Sequence, residues 1–231
     1  MKVDNIKSIS LISLISLLSI SATNVYAKDS HCESFSELSI VLEQNATDGD
    51  SEVVMFAKGQ DIGMDKFIVR SPDNRKVAKF NGDERGVGLR EFLLESAEPP
   101  ELDKVLASFP EGEYSFNGRT VEGGCLTGTA YLSHSLAPET QILSPEPNEV
   151  VNRNFVVVSW MPMDEAVGYV VELKNEETEK AILVEIPATA TSFDAPTSWL
   201  VPDTEYQVAV TVLTESGNKT SVESAFFTEF E

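Results

Sequence analysis

Short runs rich in β-branched and aromatic residues recur through most of the chain, and some of them alternate apolar and polar residues with a period of two. Glu205–Leu213 is the clearest case: Tyr206, Val208, Val210 and Val212 fall on one face and polar residues fall between them. This is the signature of a half-buried strand. Phe155–Trp160, a β-branched run ending in tryptophan, and Gly168–Leu173, Ala181–Ile186 and Ser221–Thr228 are further predicted strands, with Met161-Pro162, Pro187 and the turn-rich Thr214–Lys219 between strands. Short strands with turn signals between them, and no helical period, predict an antiparallel sandwich.

The preceding half carries a similar pattern with one interruption. Strands are predicted over Glu37–Gln44, Glu52–Ala57, Lys66–Arg70, Lys76–Phe80, Arg90–Leu94, Glu113–Gly118 and Leu126–Ser133. Asn45–Asp50 and Ser71–Asn74 are turns built from Asn, Asp, Gly and Pro. Only Glu101–Phe109 breaks the rhythm: Leu102, Val105, Leu106 and Phe109 fall at helical spacing, and Pro110 ends the segment. The expectation is a mainly β protein of two β-sandwiches, the first with one short helical crossover.

The chain's start has a different character. Lys2 and Lys7 precede the apolar run Ile9–Ile20, and Val25-Tyr26-Ala27 fits a small-x-small cleavage site. That is the layout of a secretory signal peptide over residues 1–27. The run is too short and serine-rich for a membrane span, so no stable membrane insertion is expected once it is removed. The predicted divisions are then 28–137, a Pro-rich linker at 138–147 with Pro138, Pro145 and Pro147, and 148–231. Gln141–Ser144 reads equally as the first short strand of the second sandwich.

Charge excludes partners more than it selects them. The chain carries 38 acidic and 17 basic residues, a net charge of −21, with the acid spread over both halves. No basic patch exists to neutralise phosphates, so nucleic acid is excluded as a partner and anionic lipid is repelled. An acidic surface keeps an exported protein soluble.

The second half resembles a fibronectin type III domain. Trp160 in the second strand, Gly168-Tyr169 opening the third and the L-x-P-x-T-x-Y series from Leu200 to Tyr206 carry the likeness. The resemblance implies a seven-stranded sandwich acting as a spacer or binding module, with Trp160, Tyr169, Leu200 and Tyr206 as structural core. Tyr206 is expected to bury its ring while its hydroxyl bonds to nearby backbone, as in a tyrosine corner. The family's Arg-Gly-Asp adhesion motif is absent: the corresponding loop reads Ser216-Gly217-Asn218-Lys219. With NATDGD, SPDNRK and FPEGEYSF-GRTVEG ahead of that domain, the whole chain also looks like exported bacterial proteins of undetermined activity, a resemblance that implies a periplasmic or secreted home. In a bacterial source, the acceptor patterns Asn45-Ala-Thr47 and Asn218-Lys-Thr220 carry no glycan.

Candidate chemistry is sparse. Cys32 and Cys125 are the only cysteines and an even pair, which in an oxidising compartment predicts a disulfide. A zinc site recruiting His31 and His134 matches no ordinary spacing. Asn45, Asp48 and Asp50 in NATDGD offer hard oxygens for calcium, yet they are also what a hairpin turn uses. Trp199, just ahead of Leu200, is the candidate ligand contact. No nucleophile stands beside a placed base, and Gly86-Val87-Gly88 lacks the context of a phosphate loop. The reading is a non-catalytic binding or spacer module for an unknown protein or glycan. A calcium-dependent or carbohydrate-binding accessory protein is the alternative, and an enzyme the third.

Overall fold

Strand pairing in the computed structural model, which describes residues 31–83, 85–99 and 101–230, arranges the chain as two β-sandwiches. The leader read at 1–27 lies outside the described residues. The first sandwich contains β1 (Glu33–Ser34), β2 (Glu37–Asn45), β3 (Ser51–Lys58), β4 (Met64–Arg70), β5 (Lys76–Asn81), β6 (Glu91–Glu95), the helix α1 (Leu102–Ser108), β7 (Gly112–Thr120) and β8 (Cys125–Leu132). Its two layers have the orders β1-β8-β7-β4-β5 and β2-β3-β6. Period-two burial follows from the sequence: Val53, Met55 and Ala57 of β3 point inward and their neighbours outward. Phe67 anchors this core, stacked on Phe92 at 4.4 Å and edge-on to Phe35 at 6.1 Å.

The second sandwich contains β9 (Ile142–Ser144), β10 (Glu149–Val151), β11 (Val157–Trp160), β12 (Gly168–Asn175), β13 (Lys180–Pro187), β14 (Ser192–Asp194), β15 (Glu205–Leu213) and β16 (Lys219–Thr228). One layer is β14-β11-β9; the other is β13-β12-β15-β16, with β10 added along β16. β9 pairs with β11 in the first layer, while β10 pairs in parallel with β16 in the second. One N-terminal strand is thus split by Pro145 and Pro147 and changes sheets, so the seven-strand plan appears as eight pieces. Ile142–Ser144, inside the stretch read as a linker, is β9 and belongs to this sandwich.

The two sandwiches repeat one plan. In each, the sixth strand in sequence order leads through a crossover to a strand whose buried tyrosine lies four residues after a proline: Pro110 and Tyr114, Pro202 and Tyr206. In the first sandwich α1 makes that crossover, with Val105 buried. The Tyr114 hydroxyl donates to the Pro110 carbonyl at 3.1 Å.

What joins the two halves is a sheet. The outer edge of β16 is shared: Phe226–Thr228 pair with the sandwich's own β10, and Lys219–Ser221 pair in parallel with Glu43–Asn45 of β2. The result is one continuous eight-stranded sheet, β13-β12-β15-β16-β2-β3-β6 with β10 alongside, running through both sandwiches.

Candidate functional site

Side-chain bonds lock this joint. Asn218 is fully buried; its Oδ1 accepts from the Leu42 amide at 2.9 Å, and its Nδ2 donates to the carbonyls of Ser133 and Ser135 at 2.9 and 2.8 Å. Thr220 Oγ1 donates to the Ala137 carbonyl at 2.7 Å. Lys219 pairs with Glu43, and the Glu223 amide donates to Thr47 Oγ1 at 2.7 Å. Asn218 therefore has no room for a glycan, and the chain around it is held from both sides.

The NATDGD segment is part of the same joint. Asn45 Oδ1 accepts from the Thr47 amide and Asp48 Oδ1 from the Asp50 amide, each at 3.0 Å, while Asn45 Nδ2 reaches Asp48 Oδ2 at 3.3 Å. The Ala46 amide also donates to the Ser221 carbonyl at 2.8 Å. These oxygens serve the turn and its contact with β16. Among the described residues, no group of three or more His, Cys, Asp or Glu side chains is placed to hold a metal ion.

Cys32 and Cys125 form a disulfide across a sequence separation of 93. It fastens the described N-terminus where β1 pairs in parallel with β8 through Glu33 and Leu126. Both thiols are consumed, and His134 Nε2 is hydrogen-bonded to the Phe109 carbonyl at 2.8 Å, so the zinc constellation does not form. Trp160, Tyr169, Leu200 and Tyr206 are all buried in the second sandwich. The Tyr206 hydroxyl accepts from the Val201 amide at 2.8 Å and from Asn175 Nδ2 at 3.3 Å, and it faces the Trp199 carbonyl at 3.4 Å. Trp199 is half-buried, its ring tilted 54° to that of Tyr206 at a centroid distance of 5.3 Å.

Beside the joint, the outer face of the continuous sheet forms an open groove of about 670 Å³. The β2–β3 hairpin contributes Glu43, Asp48, Asp50 and Glu52, and the chain after β6 adds Glu98. The second sandwich brings Glu172, Glu185 and Glu223. Eight carboxylates face one amine, Lys219, and the floor includes Val170, Leu183 and Val184. Burial, followed by the charges of Glu98, Glu43 and Glu95, pushes the Glu52 carboxyl up to about 7, against a smaller pull from Lys219. Glu223 is raised too, first by burial and then by Asp48, Glu172 and Glu176, while a bond from Asn45 works the other way. Such a groove carries a negative potential over a partly apolar floor.

Sequence reasoning did not bring these acids together, because they lie in five separate segments. One signal for the repeated plan was readable: Pro-x-x-Glu-Tyr occurs at Pro110–Tyr114 and again at Pro202–Tyr206.

No protein-family model matches the chain, and no curated protein matches it in sequence. Among solved structures, the chain is similar to the FN1–FN3 domains of chicken CNTN1, at 13% identity and a TM-score of 0.36, with 85% of this chain and 65% of that one covered. A two-domain fibronectin type III segment of chicken tenascin gives 13% identity and a TM-score of 0.31, covering 82% of this chain and 96% of that one. A 1.5-MDa bacterial ice-binding adhesin, described for host cell surface retention, gives 15% and 0.28, covering 87% and 67%. This chain thus spans less than two thirds of the CNTN1 segment. The fold assignment rests on the strand orders and registers described above.

Proposed function

We propose that this protein is an exported, non-catalytic module that holds two β-sandwiches at one fixed angle and binds a protein partner. The observation that carries the reading is the continuous sheet through β16 and β2 with Asn218 buried at its seam. A flexible linker would leave two independent beads; a shared sheet makes one stiff unit, the property that a spacer or a two-sandwich binding surface needs. The Cys32–Cys125 disulfide supports an oxidising compartment, periplasmic or extracellular. No helix among the described residues is long and apolar enough to cross a membrane. His134 and both cysteines are engaged in structural bonds.

Crosslinking of the mature protein in its native compartment, with mapping of the crosslinked lysines and carboxylates, tests the reading. A reproducible protein partner, joined to the same face in each repeat, is expected. Recovery of glycan alone, with a yield that changes on adding calcium, would replace it with the carbohydrate-binding alternative and make Asp48 and Asp50 the residues to change. Small-angle scattering checks the stiffness: the maximum dimension should be unchanged between low and high salt.

A further inference from the structure

Sheet edges are where a β protein meets other chains, and this molecule treats its edges unequally. A strand edge exposes alternating unpaired N–H and C=O groups, and folded proteins blunt it by shortness or by charge. β1, β9 and β14 are only two or three residues long. β5 carries exposed Lys76 and Lys79, and β6 is bracketed by Glu91 and Glu95. β13 differs: it runs for eight residues, pairs only with β12 among the described residues, and holds the uncharged stretch Ala181-Ile182-Leu183-Val184 at its centre. Leu183 is 65% exposed there, and Lys180 and Pro187 close the two ends.

We propose that the free edge of β13 takes an added strand from a protein partner, and that the partner's segment is extended, with basic and apolar residues at alternate positions. This deepens the binding-module reading, on which it rests, by naming the surface and the chemistry of what covers it. The alternation follows from the pleat. Leu183 and Glu185 point to the groove side, next to Glu172 on β12, which pairs with Leu183. Ile182 and Ile186 point to the other side, packed against the core of the second sandwich. A strand laid about 4.8 Å beyond β13 places every second side chain above the acidic groove and the rest in line with Ile182 and Ile186. The first set is matched by Lys or Arg and the second by Val or Ile. Backbone bonds supply affinity and the two faces supply selection. A second copy of this chain is disfavoured: each copy carries a net charge of −21, and Glu176, Glu177 and Glu179 crowd the turn that leads into β13.

The test uses the whole mature protein and a fluorescent octapeptide of alternating Lys and Val. Two controls accompany it: the same composition in blocked order, four Lys then four Val, and a Glu-Val alternation. Anisotropy and amide hydrogen exchange are the readouts, with sedimentation to detect self-association. The expected result is binding of the alternating Lys-Val peptide at least ten-fold tighter than the blocked one, slowed exchange confined to alternate amides of 181–186, and weakening with added salt. Leu183→Lys, at an exposed position, should reduce that affinity about ten-fold with the melting temperature unchanged. Equal binding of both Lys peptides, protection outside β13, dimerisation through β13, or no binding at millimolar peptide overturns the proposal. A captured native partner whose crosslinks avoid β13 would overturn this inference while leaving the module reading intact; a β13 that binds the octapeptide when no native protein partner is captured would do the reverse.

Discussion

Replacing Asn218 by alanine removes three hydrogen bonds at the seam between the sandwiches. The costs differ by partner. The amide of Leu42, a residue with no exposed surface, is left as a buried donor without an acceptor, which costs about 1–3 kcal/mol. The carbonyls of Ser133 and Ser135 are on partly exposed residues and rehydrate, so their loss is nearer 0.5 kcal/mol each. The sum is about 2–4 kcal/mol. In a domain pair of this size, 1 kcal/mol moves the melting temperature by about 2–4 °C, so Asn218→Ala should melt roughly 4–16 °C lower. Asn218→Asp is the sharper variant. It keeps the shape and the acceptor for Leu42, but its second oxygen faces two carbonyl oxygens where an NH2 stood. It should therefore be worse than alanine, although it is the smaller change.

Calorimetry on both variants, with urea unfolding alongside, reads the outcome. In the wild type, the sheet through β16 and β2 should make the two sandwiches unfold together, and either variant should begin to separate the transitions. A double-mutant cycle with Thr220→Val, which removes the bond to the Ala137 carbonyl, should be non-additive because both side chains fasten the same crossing. The reasoning is refuted if Asn218→Ala melts within 1 °C of wild type, or if Asn218→Asp is milder than Asn218→Ala.

Three further outcomes follow from the same structure. The Glu52 carboxyl titrates at about 7 in the fold against 4.5 for the ordinary group, so the folded state binds the extra proton between these values and stability falls as pH rises from about 4.5 to 7. Glu52→Gln should flatten that slope and, after allowance for the side chain's solvent exposure, stabilise the protein at pH 8 by about 1 kcal/mol with no gain at pH 4, as read from melts across pH. Replacing both Cys32 and Cys125 by serine frees a loop of 93 residues and should cost up to about 4–5 kcal/mol in urea unfolding. Tyr206→Phe loses contacts to Val201, Asn175 and Trp199 and should cost about 2–3 kcal/mol, whereas Tyr114→Phe loses one bond, to Pro110, and should cost about 1 kcal/mol; chemical denaturation of the two variants side by side checks the order.

The strands that were legible in the sequence are those whose alternation exceeds four residues. Glu205–Leu213 is bounded to the residue, because it buries one continuous face, and β2–β8 and α1 to within a few residues. β1, β10 and β14 escaped notice. Two or three residues show no period, and such strands exist only because a partner strand is already in place. Phe155 was read as opening a strand, yet it is 81% exposed in the loop before β11, where apolar character alone misled. The joint was illegible for another reason. Asn218 sits in Ser216-Gly217-Asn218-Lys219, whose composition says turn; nothing local reveals that its amide reaches Leu42, 176 residues earlier. Parallel pairing of β16 with β2 is a non-local event, and period-two patterning reports only which face is buried, never which strand lies alongside.

Fusing the sandwiches through a sheet also explains the distribution of apolar edges. Had the halves been joined by a tether, β2 and the first residues of β16 would each present an open edge with Val41 and Val222 beside it. Pairing Glu43–Asn45 with Lys219–Ser221 closes both at once, and Lys219 neutralises the carboxylate of Glu43 at the crossing. The closure has an electrostatic consequence. It draws the acidic hairpin of one half onto the acidic outer face of the other, and burial and mutual repulsion there hold Glu52 half-protonated near neutral pH. A joint selected only for stability would place basic residues opposite that hairpin, as neutral or attractive pairs are available at no cost in backbone geometry. On the added-strand proposal, basic side chains arriving along the open edge of β13 would relieve that repulsion.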